Sequence, residues 1–210
     1  MSTETHPSAT TQLALDRIIF FSYAVFAIAI TLMALELRVP EMSISQAATD
    51  LPQQVAAMTP KFISYVLTFL IIGSYWVSHH RDFQYIKRYD RRLIWINLLL
   101  LMFVAFLPFP NALLGNYPAQ QFTVTFYAAS LAVVGFVKAW LWWYASRNYR
   151  LIDRALDPRR VARITRRSLI APLVFLLSII VALFNPLIAM WSWSLVGVAI
   201  FLTSSDTIGG

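Results

Sequence analysis

The stretch Ile18–Leu37, IIFFSYAVFAIAITLMALEL, decides the fold class. About 20 mostly apolar residues, rising about 1.5 Å each, cross the hydrocarbon core of a bilayer. This run has that length, lies between Arg17 and Arg38, and holds one carboxylate, Glu36. Five further runs approach the same length: Phe62–Val77, Leu93–Leu114, Phe122–Ala145, Ile170–Phe184 and Leu187–Leu202. Asn185-Pro186 separates the last two, which if merged would make about 33 residues, too long for one span. The expectation is an all-α membrane protein with six transmembrane helices per subunit. Residues 1–15 are read as a polar N-terminal tail, 16–203 as the six-helix domain and 204–210 as a C-terminal tail. The first run is too long for a signal-peptide core and lacks a clear small-residue cleavage site, so it is read as a retained helix.

Composition agrees. The chain of 210 residues is 59% hydrophobic and 13% charged, with a mean hydropathy of +0.63. Soluble domains carry about 25% charged residues, so a water-soluble globular fold and intrinsic disorder are both excluded. There is no cysteine, which removes disulfide frameworks, thiolate metal sites and a cysteine nucleophile.

Orientation follows from the basic residues. Of 17 lysines and arginines, 13 lie in two connections, 78–92 and 146–167. The 108–121 connection has none, and 39–60 carries only the acids Glu41 and Asp50. Six spans put both basic connections on one side, which the positive-inside rule makes cytoplasmic, and both termini lie there too. The chain is thus expected to be a multi-pass protein of the cytoplasmic membrane. The arginine-rich 146–167 segment is read as a topology signal beside anionic lipid headgroups, not as a nucleic-acid patch. Trp140, Trp142, Trp143 and Tyr144 are expected at the cytoplasmic interface, where amphipathic rings collect.

Catalytic chemistry is poorly supplied. No HExxH, P-loop or GxSxG occurs. His79-His80 directs its rings about 100° apart on a helix, which does not make a metal pair, so no metal site and no cofactor are expected. With Asp82 the pair is the sole candidate for an enzyme site. Within the runs only Lys138 and Glu36 are charged. Lys138 is close enough to its helix end to snorkel, and Glu36 is near the outer end of the first run. A proton-coupled transporter ordinarily needs a buried carboxylate relay, and none is visible.

The first run has one notable face. At about 100° per residue with Ile28 at zero, Leu32 falls near +40°, Leu35 and Arg17 near −20°, Phe21 near +20° and Thr31 near −60°. Ser22 and Tyr23 point away, and Glu36 lies near +80° by the same count. An apolar stripe of this kind usually means lipid or helix contact, and periodicity alone does not make it a pore lining.

Arg17-x-x-x-Phe21-Ser22 followed by AVFAIAITLMALEL resembles the first-helix signature of the transmembrane protein 175 family of potassium channels, in its prokaryotic branch. The resemblance continues in Tyr75-Trp76-Val77-Ser78-His79-His80-Arg81-x-Phe83, in Leu93-Ile94-Trp95-Ile96-Asn97-Leu98-Leu99 and in Pro108-Phe109-Pro110. It implies a leak-like, non-voltage-gated, potassium-selective channel with no enzyme activity. It also implies a homotetramer of six-helix subunits whose first helices line one central pore. No TVGYG loop occurs, which agrees with that family. By position, Ile28 matches its main constriction, Leu32 and Leu35 further apolar rings, and Thr31 the polar, selectivity-associated position beside them. Arg17, Phe21, Ser22, His79, His80 and Asn97 match signature residues that pack the helices together. The family's Asp after Phe-Ser is Tyr23 here, which keeps a hydrogen-bonding group and loses the charge. Glu36 is expected at the outer mouth. Partners are then a second, third and fourth copy of the chain, potassium ions and membrane lipids. The competing reading is a small secondary transporter or exporter, which a mid-membrane carboxylate or an inverted repeat would favour.

Overall fold

In bilayer hydrocarbon no water is available to the backbone, so a spanning segment satisfies its own peptide groups as a helix. The computed structural model describes residues 9–118 and 120–193. Among them there is no strand, only one isolated bridge between Ile86 and Ile152. The helices are α1 (Ala9–Ala34), α2 (Ile44–Ala57), α3 (Thr59–Tyr85), α4 (Arg91–Phe106), α5 (Pro108–Asn116), α6 (Gln121–Ser146) and α7 (Pro158–Phe184). Five helical segments among the described residues are long and apolar enough to cross a membrane, with α4 and α5 counted as one. The sixth run, Leu187–Leu202, lies largely outside the described residues; residues 186–193 are helical.

Each boundary has a local cause. Asp90 caps α4 by accepting the Leu93 amide at 2.8 Å, and Asp157 caps α7 through the Arg159 amide at 2.9 Å with Pro158 next in line. Pro108 has no N–H to continue a helix, so the third span breaks at Leu107 into α4 and α5. The 39–60 segment was expected as a plain connection, but a Ser43–Gln46 capping box starts α2 inside it. α2 leans on α3 and buries none of its residues.

Two sequence boundaries are corrected. α3 runs eight residues past Val77, so His79, His80 and Asp82 belong to the helix rather than to a loop. α7 starts at Pro158, so Arg159, Arg160, Arg163, Arg166 and Arg167 sit on its first turns. The remaining connections meet at one end of the bundle. The Lys87 amide donates to the Leu151 carbonyl at 2.8 Å and the Asp153 amide to that of Tyr85 at 3.1 Å. Asp90 there accepts from Tyr144 at 2.6 Å and lies 3.5 Å from Arg150. Partial burial works against its ionisation, but the bonds from Tyr144 and the Leu93 amide, with Arg150 beside them, outweigh it. They hold the carboxyl below its ordinary value.

α3 is flanked by α1 and α5, and α6 by α4 and α7. α6 and α7 approach closely because Gly135 has no side chain where the Pro172 ring lies. A Cβ there would stand 2.8 Å from Pro172 Cβ and 2.9 Å from the Tyr75 hydroxyl. At Gly73 a Cβ would meet nothing within 4 Å. Gly135→Ala should therefore destabilise the purified protein by about 1–3 kcal/mol through overpacking. Gly73→Ala should leave it unchanged or slightly more stable, since alanine is the better helix former. Thermal melts of the two variants in detergent check this contrast.

Candidate functional site

α1 is two-faced. Leu15, Ser22, Phe26, Ala29 and Met33 are buried against α3 and α4. Arg17, Phe21, Ala24, Ile28, Thr31 and Leu32 lie on the opposite face and are exposed. Ile28 is 56% exposed and Leu32 43%, so neither is covered within its own subunit. Leu35 lies just past the helical end at Ala34, in the turn that closes it, and is 68% exposed. The Thr31 hydroxyl donates to the Ile28 carbonyl at 3.0 Å, and its oxygen keeps lone pairs on the exposed face. Thus Ile28, Thr31, Leu32, Leu35 and Phe21 come together on one surface that no other part of the described chain covers. Glu36 sits in the turn after α1 and is half-buried. It lines a small crevice with Lys61, Ser64, Asn111 and Asn116.

The buried face is held by side-chain hydrogen bonds. The Ser22 hydroxyl donates to the Ile18 carbonyl at 2.8 Å and accepts from the Asn97 amide at 2.9 Å. The Asn97 carbonyl oxygen lies 2.9 Å from His79 Nε2, which makes Nε2 the donor. One chain of bonds thus joins α1, α4 and α3. His80, about 100° further round α3, meets α1 instead. Its Nδ1 is hydrogen-bonded to the Tyr23 hydroxyl, and Trp76 stacks on it at 6.0 Å. His79 and His80 therefore serve two different helix contacts. His79 is 1% exposed and packs inside the subunit. Arg17 is exposed and makes no ion pair among the described residues.

The sequence reading missed a second polar contact. Lys138 was expected to snorkel; it is buried and donates to Asp82 at 2.7 Å, with both side chains 4% exposed. Lys138 lies eight residues, about 12 Å, from the end of α6, and a partner on α3 is nearer than water. A third contact lies towards the other end of α3. The Thr68 hydroxyl donates to Asn111 Oδ1 at 2.8 Å and is 2.7 Å from the Tyr127 hydroxyl. The signal for both was available in α3. Ser64, Thr68, Tyr75, His79 and Asp82 recur at helical spacing, and all are buried. Similarly, Trp142 was expected in an interfacial belt, but it is fully buried and its indole N–H donates to Thr165 at 3.0 Å. Trp140 and Trp143 do face outward.

Comparison with known proteins bears on what the exposed α1 face is for. The sequence model of the family described as "Endosomal/lysosomal potassium channel TMEM175" matches residues 17–108. A potassium channel of Streptomyces collinus is 40% identical over 154 residues, covering 71% of this chain and 73% of the relative. The chain belongs to the TMEM175 family. A potassium channel of Chamaesiphon minutus is 35% identical over 165 residues, covering 77% of this chain and 81% of the relative. The crystal structure of a lysosomal potassium-selective channel TMEM175 homologue from Chamaesiphon minutus superposes with a TM-score of 0.80 at 29% identity. The match covers 91% of this chain and 98% of that one. The helical arrangement described above is therefore the TMEM175 channel fold, and the family match begins at Arg17, the first residue of the signature.

Removing one partner of a buried ion pair leaves an uncompensated charge, at a cost of about 3–5 kcal/mol, whereas replacing both by apolar groups is often neutral. Lys138→Met and Asp82→Leu should each sharply reduce the yield of folded protein in detergent. The double variant should recover most of it. Size-exclusion profiles of the three variants check this.

Proposed function

We propose that the chain is one subunit of a homotetrameric, potassium-selective, leak-like channel of the cytoplasmic membrane, not voltage-gated, with four copies of α1 lining a central pore. The carrying observation is the exposed face of α1. One helix of a folded subunit presents Ile28, Thr31, Leu32 and Leu35 to no partner in its own chain, and a single such helix encloses nothing. Assembly of several copies around an axis would cover this face. The names of the bacterial relatives, potassium channels, favour that occupant over lipid.

In this reading Ile28 forms the constriction, Leu32 and Leu35 continue the apolar wall, and Thr31 sets an oxygen beside the ring. Glu36 stands at the outer mouth. A narrow apolar ring excludes ions by dewetting, and a modest widening admits water and a cation. Such a ring favours the ion that sheds hydration more cheaply, potassium over sodium. Ser22 and Tyr23 of α1 bond to Asn97 and His80 behind it, with His79 on Asn97, and so position the helix. Arg17 and Phe21 stand on the exposed side of the signature. No enzyme activity, cofactor or nucleic-acid partner enters this account; the partners are further copies of the chain, potassium and lipid.

The proposed topology has six spans and both termini in the cytoplasm. Residues 16–203 are assigned to the channel domain, between tails 1–15 and 204–210, although α1 itself reaches back into the first tail as far as Ala9. Two features support it. Both basic connections are bonded together at one end of the bundle. After α7 the chain turns back: Asn185 Oδ1 accepts the Leu187 and Ile188 amides, and Trp193 is buried, donating to Ser178 at 2.8 Å. A cysteine placed at Gln53 should react with an impermeant reagent added outside intact cells, and one at Ala155 should not.

Purified protein in liposomes should carry a potassium flux several-fold above its sodium flux. Ile28→Asn should raise total flux and bring the two towards equality, since four polar side chains would wet the ring. If Ile28→Asn in a folded assembly changes neither flux nor ion preference, the pore lies elsewhere.

A further inference from the structure

Helix α7 carries a second unpartnered stripe. From its first turn, Arg159, Arg163, Arg166, Ile170, Leu173 and Leu177 follow at steps of four and three residues, the spacing of a single helix face. All six are exposed. The apolar part continues to Ile180 and Phe184, which are 55% and 86% exposed. From Ile170 to Leu177 the helix rises about 11 Å, most of the roughly 15 Å depth of one hydrocarbon leaflet.

The three arginines have no hydrogen bond or ion pair from their side chains among the described residues. Other arginines at this end do have partners. Arg147 lies over Trp143, Arg150 over Tyr144 and Arg160 over Tyr85. The aspartates at this end are also engaged. Asp16 accepts from Gln12, Asp82 from Lys138, Asp90 from Tyr144, Asp153 from the Ala155 amide and Asp157 from the Arg159 amide. Moreover, Arg159 stands in the first turn of α7, at the positive end of its dipole, where positive charge is disfavoured. The missing component is an anion, and the apolar continuation of the same face requires that the anion carry a hydrocarbon chain.

We propose that this stripe of α7 is a binding site for an anionic phospholipid of the adjoining leaflet. Its phosphate sits among Arg159, Arg163 and Arg166, and one acyl chain lies along Ile170, Leu173 and Leu177. The proposal rests on the membrane-spanning reading of α7 and not on what the pore conducts. A second copy of the chain is the poorer occupant. Its described aspartates at this end are engaged, and its surplus basic residues would oppose the same arginines.

Native mass spectrometry of the full chain in detergent tests the site directly. The probes are phosphatidylglycerol and phosphatidylcholine with identical acyl chains, and glycerol 3-phosphate as the headgroup alone. The parent protein should retain phosphatidylglycerol at least about fivefold over phosphatidylcholine, as the attraction of several clustered basic side chains implies. Arg159→Gln/Arg163→Gln/Arg166→Gln should lose that preference. The charge-matched Arg91→Gln/Arg92→Gln/Arg154→Gln should keep it. Equal loss in both triple variants would show diffuse charge and overturn the site, as would the lack of any preference in the parent. Displacement by glycerol 3-phosphate as effective as by the lipid would make it a phosphate site with no acyl component. A changed subunit count in the first triple variant would assign the stripe to a second copy. If that variant does not fold, Arg163→Gln alone should still lower retention about twofold or more. Lipid retention is read without ion flux, so its failure is distinct from failure of the channel reading.

Discussion

A polar group in hydrocarbon must find its partner within the protein, and in this chain that constraint falls mainly on α3. Ser64, Thr68, Tyr75, His79 and Asp82 lie on one face of this helix and all are buried. Lipid could not solvate that face, so α3 turns it inward and its neighbours meet it. Asn97 answers His79, Lys138 answers Asp82, and Asn111 and Tyr127 answer Thr68. These bonds fix the rotation of each helix more sharply than apolar contact does, because lipid and leucine are nearly equivalent neighbours.

The rotation of α1 is a consequence of the same bonds. Ser22 is tied to Asn97, and Tyr23 to His80. With those residues turned inward, Ile28, Thr31 and Leu32 face the other way. Polar residues that bond the subunit together are thereby separated from the apolar residues proposed to meet the ion. Tyr23 links α1 to α3 through its hydroxyl, with no carboxylate at that position.

Much of this was legible in the sequence. Span positions follow from length and apolarity, and the two faces of α1 follow from its period. The α1 stripe could be read because Ile28, Leu32 and Leu35 are alike and recur regularly. What was not legible was pairing between distant segments. Lys138 read as a snorkelling cation because its partner lies 56 positions away. Asp82 and His79 read as loop residues because hydropathy falls at Ser78, although the helix continues as long as polar groups can be satisfied inside. Trp142 read as interfacial because tryptophans cluster there, but only alternate ones face outward. α2 was hidden by low hydropathy, since its start rests on a capping box rather than on an apolar face.

The central claim is that the exposed face of α1 lines an ion path. The chain has no cysteine, so single cysteines along α1 can be tested without background. Potassium flux into liposomes, measured before and after a charged thiol reagent, should be blocked at positions 21, 24, 28 and 32. It should be unaffected at positions 26, 29 and 33. Block that follows the buried face, or that shows no helical period, would contradict the account.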